Sequence, residues 1–180
     1  MVFYGSSITM GGCANRPGNN YENILSRWLD ADHLNLGFAG CAMGEPEMAA
    51  YISTLPMSLF VLDYDHNAPT VEHLQATHEP FFQTIRKANP QLPIVILSRP
   101  KVRLTQEDTQ RLAVIRRTYE NAKAAGDSHV YMIEGSELMR LCGNEGTVEG
   151  CHPTDFGFYS IATALRPLLQ NLLQAENEEK

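Results

Sequence analysis

Five short apolar runs, each followed by a longer segment whose apolar residues recur at helical spacing, limit what this chain can fold into. The spacing predicts strands over Val2–Tyr4, His33–Gly37, Ser58–Asp63, Ile94–Ser98 and Val130–Ile133. Between them, Tyr21, Ile24, Leu25, Trp28 and Leu29 form one helical stripe, and Leu74, Phe81, Phe82, Ile85 and Ala88 another. Leu112, Ile115, Tyr119 and Ala122 repeat the pattern behind Thr105, a good N-cap with Asp108 three residues on. Phe158, Ile161, Leu165, Leu168 and Leu172 mark a last helix. Strand and helix in strict alternation imply βα units around a parallel sheet. The expected fold is a three-layer α/β/α domain with a five-stranded parallel sheet in the flavodoxin-like order 2-1-3-4-5. Residues 1–175 form a single domain in this reading, followed by an acidic tail over 176–180.

Composition removes several classes of function. The 180 residues suit one domain, and 43% apolar with 19% charged residues is an ordinary globular balance. A formal charge of -7 disfavours a general affinity for nucleic acid or anionic membrane. Apolar runs such as "PIVIL" fall far short of the roughly 18 residues that a membrane-spanning helix needs. With no basic region leading into an apolar one, a cytoplasmic setting is the expectation, and an upstream signal or domain in a parent protein stays open. Cys13, Cys41, Cys142 and Cys151 contain no CxxC pair and no zinc spacing, so free thiols are expected.

In an open parallel sheet, ligands sit beyond the carboxyl ends of the strands near the switch in strand order. The first loop there is "YGSSITMGG", where Ser7 presents a hydroxyl that needs a base before it can attack. Of the six histidines, His73 and His78 fall in a helix, and His33 and His129 fall where strands begin, at the wrong edge. His152 differs. It lies in "EGCHPTDFGF", read as a loop leading into the last helix, from which it can return over the first strand. Glu149, three residues earlier, is placed to orient it.

These segments carry a resemblance. "YGSSITMGG" resembles the first block of the SGNH or GDSL-like hydrolases, with Ser7 in the nucleophile's place, and "NLGFAG" is similar to the second, whose glycine is here Gly40. "DYDHNA" resembles a variant third block with Asn67 as its asparagine, and "EGCHPTD" the last, giving Glu149 and His152. The blocks occur in the family's order over residues 4 to 155 and match best the bacterial variant with "GSSIT" and "HPTD". Two positions depart from the pattern. Ser6 replaces the aspartate usual before the nucleophile, and Glu149 replaces the usual aspartate before the histidine, which leaves Asp155 or a backbone carbonyl open as the orienting group.

The resemblance implies a serine esterase acting through an acyl-enzyme on short acyl esters, including acetyl groups on carbohydrates, with no metal or organic cofactor. Ser7 is the nucleophile and His152 the general base, while the N–H groups of Ser7 and Gly40 and the amide of Asn67 form an oxyanion hole. Two other readings remain. An apolar strand ending in Asp63-x-Asp65, with Lys101 later, is how haloacid-dehalogenase-like phosphatases present carboxylates to magnesium. A flavodoxin-like binding module without catalysis is the third. Otherwise Asp63 and Asp65 orient the loop that bears Asn67.

Overall fold

The computed structural model describes residues 1–178. In chain order the elements are β1 (Val2–Gly5), α1 (Ser7–Met10), α2 (Tyr21–Leu29), β2 (Leu34–Gly37), α3 (Pro46–Ser53), β3 (Phe60–Asp63), α4 (Val71–Ala88) and β4 (Ile94–Leu97). Then follow α5 (Gln106–Ala124), β5 (Val130–Ile133), α6 (Gly135–Leu138), β6 (Thr147–Val148), β7 (His152–Pro153) and α7 (Asp155–Glu178). The five long strands form a parallel sheet, as the alternation implied, in the expected order β2-β1-β3-β4-β5.

Strand residues alternate between two cores. Val2, Tyr4, Phe60, Leu62, Ile94 and Ile96 point to one face, where α3, α4 and α5 cover them with Ile52, Phe81, Phe82, Ile85 and Ile115. Phe3, Val61, Val95 and Leu97 point to the other, under Leu25 of α2 and Phe158, Ile161 and Leu165 of α7. Burial on both faces explains why β1, β3 and β4 read as unbroken apolar runs. The capping box of α5 forms as expected: Thr105 Oγ1 accepts from the Asp108 N–H, and Asp108 Oδ2 from the Thr105 N–H. Trp28 is half-buried at the rim of the second core, edge-on to Tyr159 with Arg166 over its ring.

α7 runs on to Glu178, into the acidic tail, where Ala and Glu are good helix formers that continue the preceding turns. Residues 179 and 180 of that tail lie outside the described residues. The segment around His152 is not a plain loop but a hairpin, in which Val148 pairs with His152 and Thr147 with Pro153. Among the described residues, no helix is long and apolar enough to cross a membrane.

Candidate active site

The chain leaves β1 at Gly5 and turns at once into α1. A Cβ on Gly5 would overlap Thr9 Oγ1 and the Asp63 carbonyl, so only glycine lets α1 fold back this closely onto the sheet. Ser6 is the N-cap of α1; its fully buried Oγ accepts the Ile8 N–H at 3.2 Å. Ser7 is the first helical residue, so its own N–H precedes the helix's internal hydrogen bonds. Its Oγ stands 2.8 Å from Nε2 of His152.

α1 is held from beneath. Thr9 Oγ1 donates to Asp63 Oδ2 at 3.0 Å, and the Tyr21 hydroxyl donates to the same oxygen at 3.2 Å. From β2, the Asn35 side chain donates to the Thr9 carbonyl at 2.7 Å. Burial pushes the Asp63 carboxyl up to about 7, against the pull of the Thr9 and Tyr21 bonds. Glu22, also fully buried, is raised well above the carboxylate range, again chiefly by burial.

The hairpin delivers His152. Its turn closes with the Cys151 N–H donating to the Val148 carbonyl at 3.1 Å, and both central residues, Glu149 and Gly150, have positive φ (59° and 73°). Such a turn matches the twist of adjoining strands, but glutamate adopts it only at a cost in backbone strain. The Nδ1 atom of His152 is buried without a hydrogen-bond partner. The Glu149 carboxylate stands 3.8 Å from it, beyond hydrogen-bond range, with its side chain 69% exposed. Asp155 does not reach the ring's partner position. It accepts from the Asn15 N–H and side chain and from the Asn19 side chain, which hold its carboxyl below the usual range.

The loops after β2 and β3 leave the same edge of the sheet. Phe38 O accepts the Cys41 and Ala42 N–H groups at 3.1 and 3.2 Å and Asn67 Nδ2 at 2.8 Å. The N–H of Gly40, exposed and at φ 70°, is not part of that fan, and the Asn67 amide keeps a second hydrogen. Asn67 closes a single 3-10 turn, Asp65–Asn67, which Arg111 of α5 clamps. Arg111 is fully buried; its Nε donates to Asp65 Oδ1 at 2.8 Å, and its guanidinium also reaches the carbonyls of Asp65 and Ala68. Asp63 and Asp65 are thus both buried and bonded to interior partners, the first under α1 and the second to Arg111. Neither is open to solvent as a phosphatase pair for magnesium would be.

His66 lies beside the hairpin, with Nδ1 3.8 Å from Cys151 Sγ. Burial, then the charges of Arg99 and Arg111, push its imidazole down to about 3, so it stays neutral. All four cysteines are free thiols, of which Cys13 and Cys41 are exposed. Cys13 Sγ, a Glu149 carboxylate oxygen and a His152 ring nitrogen lie within 4.8 Å of one another, a donor set able to hold a metal ion.

Ser7 and His152 therefore meet, with Glu149 near but not bonded, and Gly40 and Asn67 on adjacent loops. Thr9, Tyr21, Asn35 and Arg111 escaped sequence reasoning. Arg111 left a signal: it stands four residues before Ile115, on the buried face of α5. Asn35 begins the "NLGFAG" segment already singled out.

A model of the GDSL-like Lipase/Acylhydrolase family matches residues 1–170. No curated protein matches the chain. Among solved structures, a GDSL-like lipase from Bacteroides ovatus is 28% identical, with a TM-score of 0.85 over 96% of this chain and 53% of its own. A salicylyl-acyltransferase from a tetracycline biosynthetic pathway is 24% identical, with a TM-score of 0.80 over 95% of this chain and 54% of its own. A family two carbohydrate esterase from Clostridium thermocellum, solved with cellohexaose, is 18% identical, with a TM-score of 0.72 over 96% and 64%. The last two are likenesses of fold. This chain spans about half the length of the first two proteins.

Proposed function

Because the chain belongs to the GDSL-like Lipase/Acylhydrolase family, we propose that it hydrolyses short acyl esters, acetyl esters of carbohydrates among them, through an acyl-enzyme on Ser7. The observation that carries this reading is the 2.8 Å approach of Ser7 Oγ to His152 Nε2. A hydroxyl at a helix start with an imidazole nitrogen within hydrogen-bond reach is the arrangement an activated nucleophile requires.

Ser7 Oγ attacks the ester carbonyl carbon as His152 Nε2 takes its proton. The carbonyl oxygen becomes an oxyanion facing the N–H groups of Ser7 and Gly40 and the free amide hydrogen of Asn67, each donor contributing about 2.7–4 kcal/mol by the measure of known oxyanion holes. As the intermediate collapses, the imidazolium returns the proton to the departing alcohol. Water then attacks the acyl-serine by the same route, with His152 as base. Phe38 O and the Arg111 clamp fix Asn67, and Asp63 with Asn35 fixes α1, so both halves of the site are rigid before substrate arrives. Carbohydrate as the alcohol rests on the fold-level likeness to the esterase solved with cellohexaose.

The test is covalent labelling with a fluorophosphonate, followed by peptide mapping and by hydrolysis assays on an aryl acetate and on acetylated oligosaccharides with and without EDTA. Labelling on Ser7 with hydrolysis undiminished by EDTA is the expected result. A label on another residue, or magnesium-dependent phosphatase activity without ester hydrolysis, would overturn it.

A further inference from the structure

The atom that the proposed reaction leaves unexplained is His152 Nδ1, buried and without a hydrogen bond in the middle of the site. Buried polar atoms are satisfied in the great majority of cases, and an exception asks for a missing partner. Two further donors converge on the ring. Cys13 Sγ and a Glu149 oxygen lie with a His152 ring nitrogen inside 4.8 Å, and the 3.8 Å between Nδ1 and Glu149 Oε1 identifies the nitrogen that faces the group. Ligand atoms around a tetrahedral zinc are roughly 3.3–3.8 Å apart, given bond lengths near 2.0–2.3 Å, so the side chains need close onto an ion by no more than about 1.5 Å. Among the described residues, Cys13 and Glu149 are also two of the three non-glycine positions at positive φ, Cys13 at 70° and Glu149 at 59°. Strain at both donor positions is the kind that persists where a site fixes the backbone.

We propose that Cys13, Glu149 and His152 form an inhibitory site for a borderline-soft divalent cation of the zinc class, with water in the fourth position. This inference rests on the serine-esterase reading for its consequence, though not for the binding itself. Thiolate, imidazole and carboxylate select zinc-class ions over magnesium or calcium, which take oxygen ligands. On binding, the Cys13 thiol loses its proton to solvent, the imidazole proton passes from Nδ1 to Nε2 by exchange with solvent, and Nδ1 donates its lone pair to the metal. A neutral imidazole coordinated through Nδ1 must carry its one proton on Nε2. That nitrogen then donates to Ser7 Oγ and has no lone pair with which to accept the serine's proton, so the base is held in the wrong tautomer. Glu149, drawn onto the metal, is at the same time lost as a partner for the imidazolium. The cation thus turns the site off without coordinating Ser7, and Cys13 is the ligand that makes it thiol-dependent.

Cobalt is the spectroscopic probe and zinc the inhibitor. Titrating the full chain, freed of metal and reduced, with Co²⁺ is expected to give a thiolate-to-cobalt charge-transfer band together with the visible bands of tetrahedral cobalt. The band should vanish in Cys13→Ser and remain in Cys41→Ser and Cys151→Ser. Zn²⁺ should inhibit ester hydrolysis, reversibly with EDTA, and Cys13→Ser should raise the half-inhibitory concentration at least about tenfold while keeping the metal-free kcat. A wild-type protein without the thiolate band, or a band that follows Cys151 rather than Cys13, overturns the site. Equal zinc inhibition in wild type and Cys13→Ser overturns its inhibitory role. If ester hydrolysis itself is absent, the cobalt spectrum still decides the site, so the two readings fail separately.

Discussion

Glu149 sits in the turn of the small hairpin that carries His152, yet its carboxylate stands 3.8 Å from Nδ1, too far for a hydrogen bond and mostly in solvent. A carboxylate so placed can attract an imidazolium as it forms but does not hold the neutral ring. Glu149→Gln is therefore expected to lower kcat by less than the ~10² at the low end of what a positioned acid–base group supplies. Glu149→Asn should do the same while raising the melting temperature, since asparagine tolerates positive φ. Asp155→Asn, which loosens the Asn15 and Asn19 contacts, should leave kcat close to wild type. A collapse of kcat in Asp155→Asn with retained thermal stability would transfer the orienting role to Asp155.

Ser6 and Ser7 are adjacent and chemically alike, and their surroundings separate them. Ser7→Ala should reduce ester hydrolysis by roughly 10⁴ to 10⁶ without loss of stability, because it removes one half-buried oxygen. Ser6→Ala should cost about 1 kcal/mol of stability through the lost N-cap and keep most of the activity. An inactive Ser6→Ala beside an active Ser7→Ala, by steady-state kinetics, excludes this assignment.

Asn67 offers its second amide hydrogen only because the first is spent on Phe38 O. Asn67→Ala should lower kcat by about 10² to 10³ with little change in KM, as a donor acting in the transition state does. Arg111→Met tests the support beneath it, since it empties the clamp on the Asp65–Asn67 turn without touching substrate. Its expected signature is a lower kcat together with reduced thermal stability. A change in KM alone for Asn67→Ala would reassign that residue to substrate binding.

What the sequence reveals follows from how locally each feature is encoded. The parallel sheet came from the alternation itself, and the Thr105 cap from two residues three apart. Ser7 and His152 were visible because each sits in a short segment with an unusual composition. The hairpin under His152 was not, because its strands are two residues each and their pairing depends on Gly150 and Glu149 adopting positive φ, which nothing in "VEGCHP" demands. Asp63, Tyr21 and Thr9 were illegible as a unit for another reason. They lie on three different elements, and their joint role exists only once β3 and α2 are packed beneath α1.

That buried group makes the final prediction. Asp63 is raised from 3.8 to about 7, first by burial, so the folded protein holds a proton that the unfolded chain releases near 4. Between those values the native state binds more protons, and stability from this group is greatest below about 4 and falls as pH rises towards 7. His66 and His78, both held down to about 3 by burial, slope the other way, because the unfolded chain binds the extra protons as pH falls. The wild-type profile therefore mixes opposing contributions, and the informative quantity is its difference from Asp63→Asn. Asparagine can still accept the Thr9 and Tyr21 hydroxyls but does not titrate. Urea unfolding at pH 4.5, 5.5 and 6.5, on the order of the window set by these shifts, should show the variant gaining on wild type as pH rises, while its kcat stays within about tenfold because α1 remains anchored. A difference that is flat with pH would mean that Asp63 is ionised in the folded protein and that its bonds to Thr9 and Tyr21 outweigh its burial.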